Sequence, residues 1–313
     1  MTFHSTVQPP SAGQRTLEPT VLEVALNGPW GRERQPRIPI SVREIVNEAV
    51  QCAEAGASVV HVHPYDEKTG RQCDELDLYL RIIEGVRERS NVPVVPTAPF
   101  VNDGDLTRYS VSEELARRGL IEWAAIDPGS CNIARFDDIT AGRPGFVYRN
   151  EEESVDAALS MAQRHAITAA YACYEPGFVR LGAALHARYP RAPYPVYRLM
   201  FSDEFTFGYP PEIQAMDAYQ WQLERYAPQA PVMVAGLGVN VMPLIPSAVQ
   251  RGWHVRVGLE DAHFGCPHSN LELTLQAIRA IEATGARVAT FAEARRLGRT
   301  SGAFAAQVPA EVA

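Results

Sequence analysis

Two hydrophobic periods take turns along this chain. Short runs rich in β-branched and apolar residues occur at Val21 to Leu26, Ser58 to His63, Pro93 to Thr97, Trp123 to Ile126, Ile167 to Cys173, Pro195 to Phe201, Val232 to Leu237 and His254 to Leu259. Each has the length and composition of a buried strand. Segments with helical spacing lie between them. In Val42 to Ala55, the residues Ile45, Val46, Ala49, Cys52 and Ala53 share one face, Ser41 and Glu44 have capping-box spacing, and Gly56 supplies the stop. Further helices are predicted at Leu76 to Glu88, Ser112 to Arg118, Ser154 to Arg164, Gly177 to Arg188, Pro211 to Arg225, Val241 to Arg251 and Leu271 to Thr284.

Strands alternating with helices require parallel pairing and right-handed crossovers, and eight such units predict an α/β fold of the (β/α)8 TIM-barrel type. An open doubly wound sheet is the competing architecture, but no GxGxxG or Walker A motif follows a strand, and Gly236-Leu237-Gly238 is too common a triplet to count. The expected division is an N-terminal arm at 1–17, one barrel domain at 18–300 and a C-terminal tail at 301–313. The fourth unit is the least regular, because Phe146 to Tyr148 reads as a rival strand. Gly/Pro-containing segments at Asp127 to Ser130 and Phe201 to Pro211 read as mouth loops, the second long enough for a lid.

Composition narrows the function. The chain has 313 residues, 46% hydrophobic and 21% charged, with a formal net charge of −8, so no electrostatic reason to bind nucleic acid exists and small molecules are the expected partners. No apolar stretch reaches the roughly 18 residues of a membrane span, and the first residues lack a signal-peptide core, which makes a cytoplasmic location the expectation. Cys52, Cys73, Cys131, Cys173 and Cys266 are odd in number and show no CxxC spacing, which predicts reduced thiols.

Candidate chemistry gathers at two strand ends. His61-Val62-His63 closes the second strand, where a period of two puts both imidazoles on one face at the end where barrel active sites are built. The last strand runs His254-Val-Arg-Val-Gly-Leu-Glu260, so Arg256, Gly258 and Glu260 oppose Val255, Val257 and Leu259. If the apolar set packs outward, the interior receives an Arg and a Glu, an expensive arrangement unless matched or functional. The eighth strand reaches the second across the first, so Glu260 can approach His61 and His63. Two histidines and a carboxylate leave coordination positions open, as in catalytic zinc or non-haem iron sites. Zn2+ is the first choice, ahead of Fe2+ or Mn2+. An Arg256–Glu260 ion pair without metal is the structural alternative.

These residues carry a resemblance. The strings Glu54-Ala55-Gly56-Ala57-Ser58-Val59-Val60-His61-Val62-His63 and His254-Val255-Arg256-Val257-Gly258-Leu259-Glu260-Asp261, with Ile38-Pro39-Ile40-Ser41, Ser269-Asn270, Ala289-Thr290 and Glu293-Ala294-Arg295, resemble the β-keto acid cleavage enzyme family, typified by the 3-keto-5-aminohexanoate cleavage enzyme, over about residues 21 to 298. The resemblance implies a zinc-dependent retro-Claisen reaction in which a β-keto acid and acetyl-CoA exchange an acyl group, giving acetoacetate or its CoA thioester and a new acyl-CoA. It also implies a homo-oligomer, a tetramer, with a β-keto acid and acetyl-CoA as small-molecule partners. Asp261 then handles a proton or orients its neighbours, Arg256 supplies a fixed positive charge, and Thr97 takes a hydroxyl role.

The chain departs from the family pattern on the substrate side. The loop after the first strand reads Asn27-Gly28-Pro29-Trp30-Gly31 where the family has a substrate-binding Glu, and Pro64-Tyr65-Asp66 replaces an Arg-Asp pair. Pro96-Thr97-Ala98-Pro99-Phe100 stands for Ser-Thr-Gly-Gly, Ala172 occupies an acidic position with Glu175 displaced, and Gly238-Val239-Asn240 replaces Gly-Arg. Trp30, Tyr65, Phe100 and Asn240 are therefore the candidate substrate contacts, the aromatic ones suited to an apolar or quaternary-ammonium substrate. The competing functions are a CoA-independent metal-dependent hydrolase or aldolase-like lyase, and a non-catalytic metabolite-binding barrel.

Overall fold

The computed structural model describes residues 17–99 and 106–299. The expected arm up to residue 16, the expected tail and Phe100 lie outside the described residues. Eight parallel strands form the centre: β1 (Leu22–Ala25), β2 (Val59–Val62), β3 (Val94–Pro96), β4 (Trp123–Ala125), β5 (Thr168–Cys173), β6 (Val196–Phe201), β7 (Val232–Gly236) and β8 (His254–Val257). Their hydrogen-bonded order is β3-β2-β1-β8-β7-β6-β5-β4, and β3 and β4 pack side by side at its two ends, so the sheet curls into a barrel with one seam.

Every strand residue is buried, since helices cover the outside and side chains fill the inside. Outward residues such as Leu22, Val24, Val60 and Val255 pack against α1 (Val42–Ala55), α2 (Leu76–Arg87), α3 (Ser110–Arg117), α4 (Glu152–His165), α5 (Gly177–His186), α6 (Ile213–Tyr226), α7 (Ile245–Gln250) and α8 (Asn270–Glu282). Inside, the period of two sorts the residues into layers. Val21, Val59, Val95, Trp123, Ala170, Val196 and Met233 form an apolar plug at the N-terminal end, closed by Ala289 and by Ala294 of the helix Phe291–Arg296. Two residues further along come Glu23, His61, Arg198 and Arg256, and above them the mouth.

The capping box at Ser41 and Glu44 forms, and Gly56 stops α1 in the left-handed conformation at φ 119°. Two expectations change. Val241 to Arg251 is a 3-10 turn, Met242–Leu244, followed by α7, because Pro243 and Pro246 each remove an amide donor from what the spacing reads as one helix. In the fourth unit both strand readings hold: β4 is in the barrel, while Phe146–Tyr148 pairs antiparallel with Cys131–Ile133 outside it. This excursion is joined to the loop after β6, where the Thr206 amide donates to Ala134 O at 2.9 Å and the Phe136 amide to Glu204 O at 3.0 Å. The two segments thus form one cover beside the mouth. All five cysteines are unpaired, and no helix among the described residues is long and apolar enough to cross a membrane.

Candidate active site

His61 ends the inward face of β2, and His63 lies one residue past it, held by Asn27: the His63 amide donates to Asn27 Oδ1 at 2.9 Å, and Asn27 Nδ2 donates back to His63 O at 2.8 Å. Glu260 follows β8 and is seated by its amide on Ala25 O at 3.2 Å. Gly258 makes that approach possible. At φ 137° its position would drive a Cβ to 2.1 Å from Ala25 O, so only glycine lets β8 turn against β1.

The three side chains converge. His61 Nε2 is 3.1 Å from His63 Nε2, and Glu260 Oε2 is 3.3 and 3.4 Å from the two nitrogens. The outer ring nitrogens face acceptors, His61 Nδ1 at 3.0 Å from Val95 O and His63 Nδ1 at 2.8 Å from Gln72 Oε1. Each Nδ1 therefore carries the proton, and two Nε2 lone pairs point inward beside a buried carboxylate oxygen with no hydrogen-bond donor. Such a cluster of lone pairs repels itself unless a cation sits among them. Its 3.1–3.4 Å edges are those of a tetrahedral shell about 2 Å in radius, the Zn–N and Zn–O distance. Burial holds the His61 imidazole well below its ordinary pKa against the pull of Glu260, which keeps it a neutral donor. Burial alone would raise Glu260, but the Arg256 guanidinium holds it well below the usual carboxylate range.

Arg256 is the electrostatic hub beneath the triad. Its Nη2 lies 2.7 Å from Glu260 Oε1 and 2.7 Å from Asp261 Oδ1, its Nε 2.9 Å from Asp261 Oδ2, and its Nη1 3.5 Å from Glu23 Oε1. Burial opposes its charge, yet Asp261, Glu260 and Glu23 together keep it protonated. Glu23, fully buried in β1, also takes Arg198 Nη1 at 3.1 Å, and Arg198 Nη2 donates to Ala170 O. Asp261 is pushed up to about 6 because burial outweighs the neighbouring guanidinium.

A cavity of about 650 Å³ opens over this cluster, lined on the side of the triad by Trp30, His61, His63, Thr97, Arg256 and Glu260. Trp30 donates from Nε1 to Glu260 O at 2.9 Å and packs on Phe205 and Phe264, so it braces the triad as well as lining the cavity. Three expected residues sit elsewhere. Tyr65 is buried beneath the loop after β1, its hydroxyl donating to Gly28 O and accepting from the Gly31 amide, because a phenol under a tight loop satisfies amide and carbonyl groups that no strand reaches. Asn240 is exposed, its Oδ1 taking the Met242 amide, and it lines a separate cavity of about 690 Å³ outside β8. Asp261 also borders that second cavity, since its carboxylate turns to Arg256 instead of the first.

A family model described as beta-keto acid cleavage enzyme matches residues 19–298. The chain belongs to the beta-keto acid cleavage enzyme family. It is 27% identical over 300 residues to the 3-oxoadipate:acetyl-CoA acetyltransferase of Cupriavidus necator, covering 90% of this chain and 94% of that one. It is 26% identical over 272 residues to the 3-keto-5-aminohexanoate cleavage enzyme of Fusobacterium nucleatum, covering 85% and 92%. Among solved structures, ObcA in binary complex with oxaloacetate superposes with a TM-score of 0.65 at 18% identity over 83% of this chain and 66% of that one, a likeness of fold.

Within this family member, several residues of the site escape motif reading. Glu23 and Arg198 are interior charges set in apolar strands, Leu22-Glu23-Val24 and Tyr197-Arg198-Leu199. The reasoning that singles out Arg256, a charge on the inward face of a strand, applies to both. Asp127, Tyr148 and Tyr174 also line the cavity. Asp127 is in a loop and Tyr148 in the excursion, where no periodicity assigns a direction.

Proposed function

We propose that this protein is a metal-dependent acyltransferase that exchanges the acyl group of a β-keto acid with acetyl-CoA. In balanced form, R–CO–CH2–COO− and CH3–CO–SCoA give CH3–CO–CH2–COO− and R–CO–SCoA. The observation that carries the metal is the convergence of two deprotonated imidazole nitrogens and an orphaned carboxylate oxygen at 3.1–3.4 Å; family membership carries the reaction. His61, His63 and Glu260 would hold the ion, with zinc favoured by the donor set, and it would supply Lewis acidity toward the ketone and carboxylate.

The chain's own groups do the rest. Arg256 presents a guanidinium that cannot lose its proton to the carboxylate or the negative charge that develops at C2 when the C–C bond breaks. Asp261 grips Arg256 through Nε and Nη2 and so fixes the direction of that charge. Thr97 offers a hydroxyl in the cavity wall and Trp30 lines it beside Glu260. A mass-spectrometric screen of β-keto acids with and without acetyl-CoA tests this reading. A new acyl-CoA that requires acetyl-CoA and disappears in His61→Ala/His63→Ala is expected; product formed equally without the thioester would instead establish a hydrolase or lyase.

A further inference from the structure

Arg198 extends inward from β6 and lines the floor of the cavity over the triad. It is 2% exposed. Its Nη1 donates to Glu23 Oε1 at 3.1 Å and its Nη2 to Ala170 O at 2.9 Å, while Nε has no partner. Five N–H groups on a guanidinium leave about three beyond those in use. Glu23 is the only carboxylate within ion-pair distance among the described residues, and it is shared, since the same Oε1 takes Arg256 Nη1 at 3.5 Å. Arg256, by contrast, meets three carboxylates, Glu23, Glu260 and Asp261. The position paired with Arg198 on β5 is Ala172, so no acid on that strand answers its charge.

Apolar side chains fill the layer below, where Val196 precedes Arg198 by two residues on the same strand, and a buried ion pair is no more stabilising than such a filling. Occupying space therefore does not explain an arginine. The cavity reaches it because the neighbouring wall positions, Ala125 and Ala172, are small. One Glu23 oxygen touches both guanidiniums, and Arg256 Nη2 lies 2.7 Å from Glu260 Oε1, so Arg198 is two contacts from the triad. It comes from β6, across the barrel from the β2 histidines. A positive charge with donors to spare thus faces the triad over the space where two reactants would meet.

We infer that Arg198 is a catalytic residue of the acyl exchange, the hydrogen-bond donor to the thioester carbonyl oxygen of acetyl-CoA as the β-keto acid adds to it. The inference rests on the reading above, which seats the ketone and carboxylate at the triad and leaves the thioester to the β6 side. C2, after losing a proton to solvent through the mouth, forms a bond to the thioester carbonyl carbon, and the carbonyl π pair moves onto oxygen. Return of that pair breaks the C–S bond, and CoA leaves as a thiolate. The thiolate adds to the R–CO carbon, the C2–C bond breaks with its pair passing to C2, and C2 regains a proton. The thioester oxygen carries full negative charge only between addition and thiolate departure, so a fixed guanidinium stabilises that state above the ground state.

Zinc-loaded wild type, Arg198→Gln and Arg198→Lys test it through three readouts: the calorimetric Kd of a β-keto acid without acetyl-CoA, deuterium uptake at its C2 from D2O without acetyl-CoA, and kcat for acyl-CoA formation. Arg198→Gln should lower kcat about 100- to 1000-fold, with Arg198→Lys in between, while Kd and deuterium uptake stay within about threefold of wild type. An unchanged kcat in Arg198→Gln overturns the inference. So does a matching loss of keto-acid binding or deuterium uptake, which marks a keto-acid contact or a structural role. Should Arg198→Gln fail to fold, Arg198→Lys decides by the same comparison, with a kcat loss of about 10-fold or more expected. Wild-type protein that forms no acyl-CoA contradicts the acyl-exchange reading and the inference with it, whereas wild-type turnover that Arg198→Gln retains contradicts the inference alone.

Discussion

Glu23 is fully buried inside the barrel and touches two guanidiniums, Arg198 and Arg256. Removing it strands the buried Arg198 and takes one of three carboxylates from Arg256, so Glu23→Ala is expected to lose about 3–5 kcal/mol of stability in urea unfolding. Glu23→Ala/Arg198→Met should recover a large part of that loss, because the second change removes one stranded charge; additive losses would contradict the pairing. Arg256 depends on shape as well as charge. Arg256→Lys keeps one positive charge but cannot reach Asp261 through two nitrogens and Glu260 together. The variant should fold while kcat/KM falls by about 100-fold or more, and a loss below threefold would remove Arg256 from the chemistry. At this scale the sequence is partly legible: His61, His63, Glu260 and Arg256 follow from strand alternation, whereas Asp127 and Tyr148 depend on loop paths that no period encodes.

The elements around the site are held by a few specific contacts. Tyr65 pins the loop that carries Trp30; Tyr65→Phe should destabilise the fold by about 1–2 kcal/mol in thermal or urea unfolding. At the bottom of β8, His254 is buried and its Nδ1 accepts the Val21 amide. Burial lowers its pKa from 6.5 to about 4, so the unfolded chain binds the proton more readily between those values. Its stabilising contribution is therefore complete above pH 6.5 and is lost as pH falls toward 4. Stability should decline by up to about 1.4 kcal/mol per pH unit from this group alone, read from urea midpoints across that range. His186, lowered to about 4 by burial, adds to the same slope, and a flat profile would contradict both. The elements themselves were readable from spacing and caps, except where prolines split the segment before α7 and where the excursion after β4 forms its own hairpin.

For the molecule as a whole, eight alternating units dictate the barrel, and the barrel brings β8 beside β1 and β1 beside β2, so residues some 200 positions apart in sequence meet at one mouth. That closure is why the convergence of His61, His63 and Glu260 could be read from two distant strings. Its substrate side could not, since it depends on a cover built from two long connections. In the proposed reaction, acyl exchange with acetyl-CoA runs on an ion held by His61, His63 and Glu260. The most direct measurement is acyl-CoA formation from a β-keto acid and acetyl-CoA, followed by mass spectrometry in purified protein before chelation, after chelation and after zinc is restored. A new acyl-CoA that vanishes with the metal and returns with it is the predicted result; undiminished formation by protein shown by elemental analysis to be metal-free would contradict it.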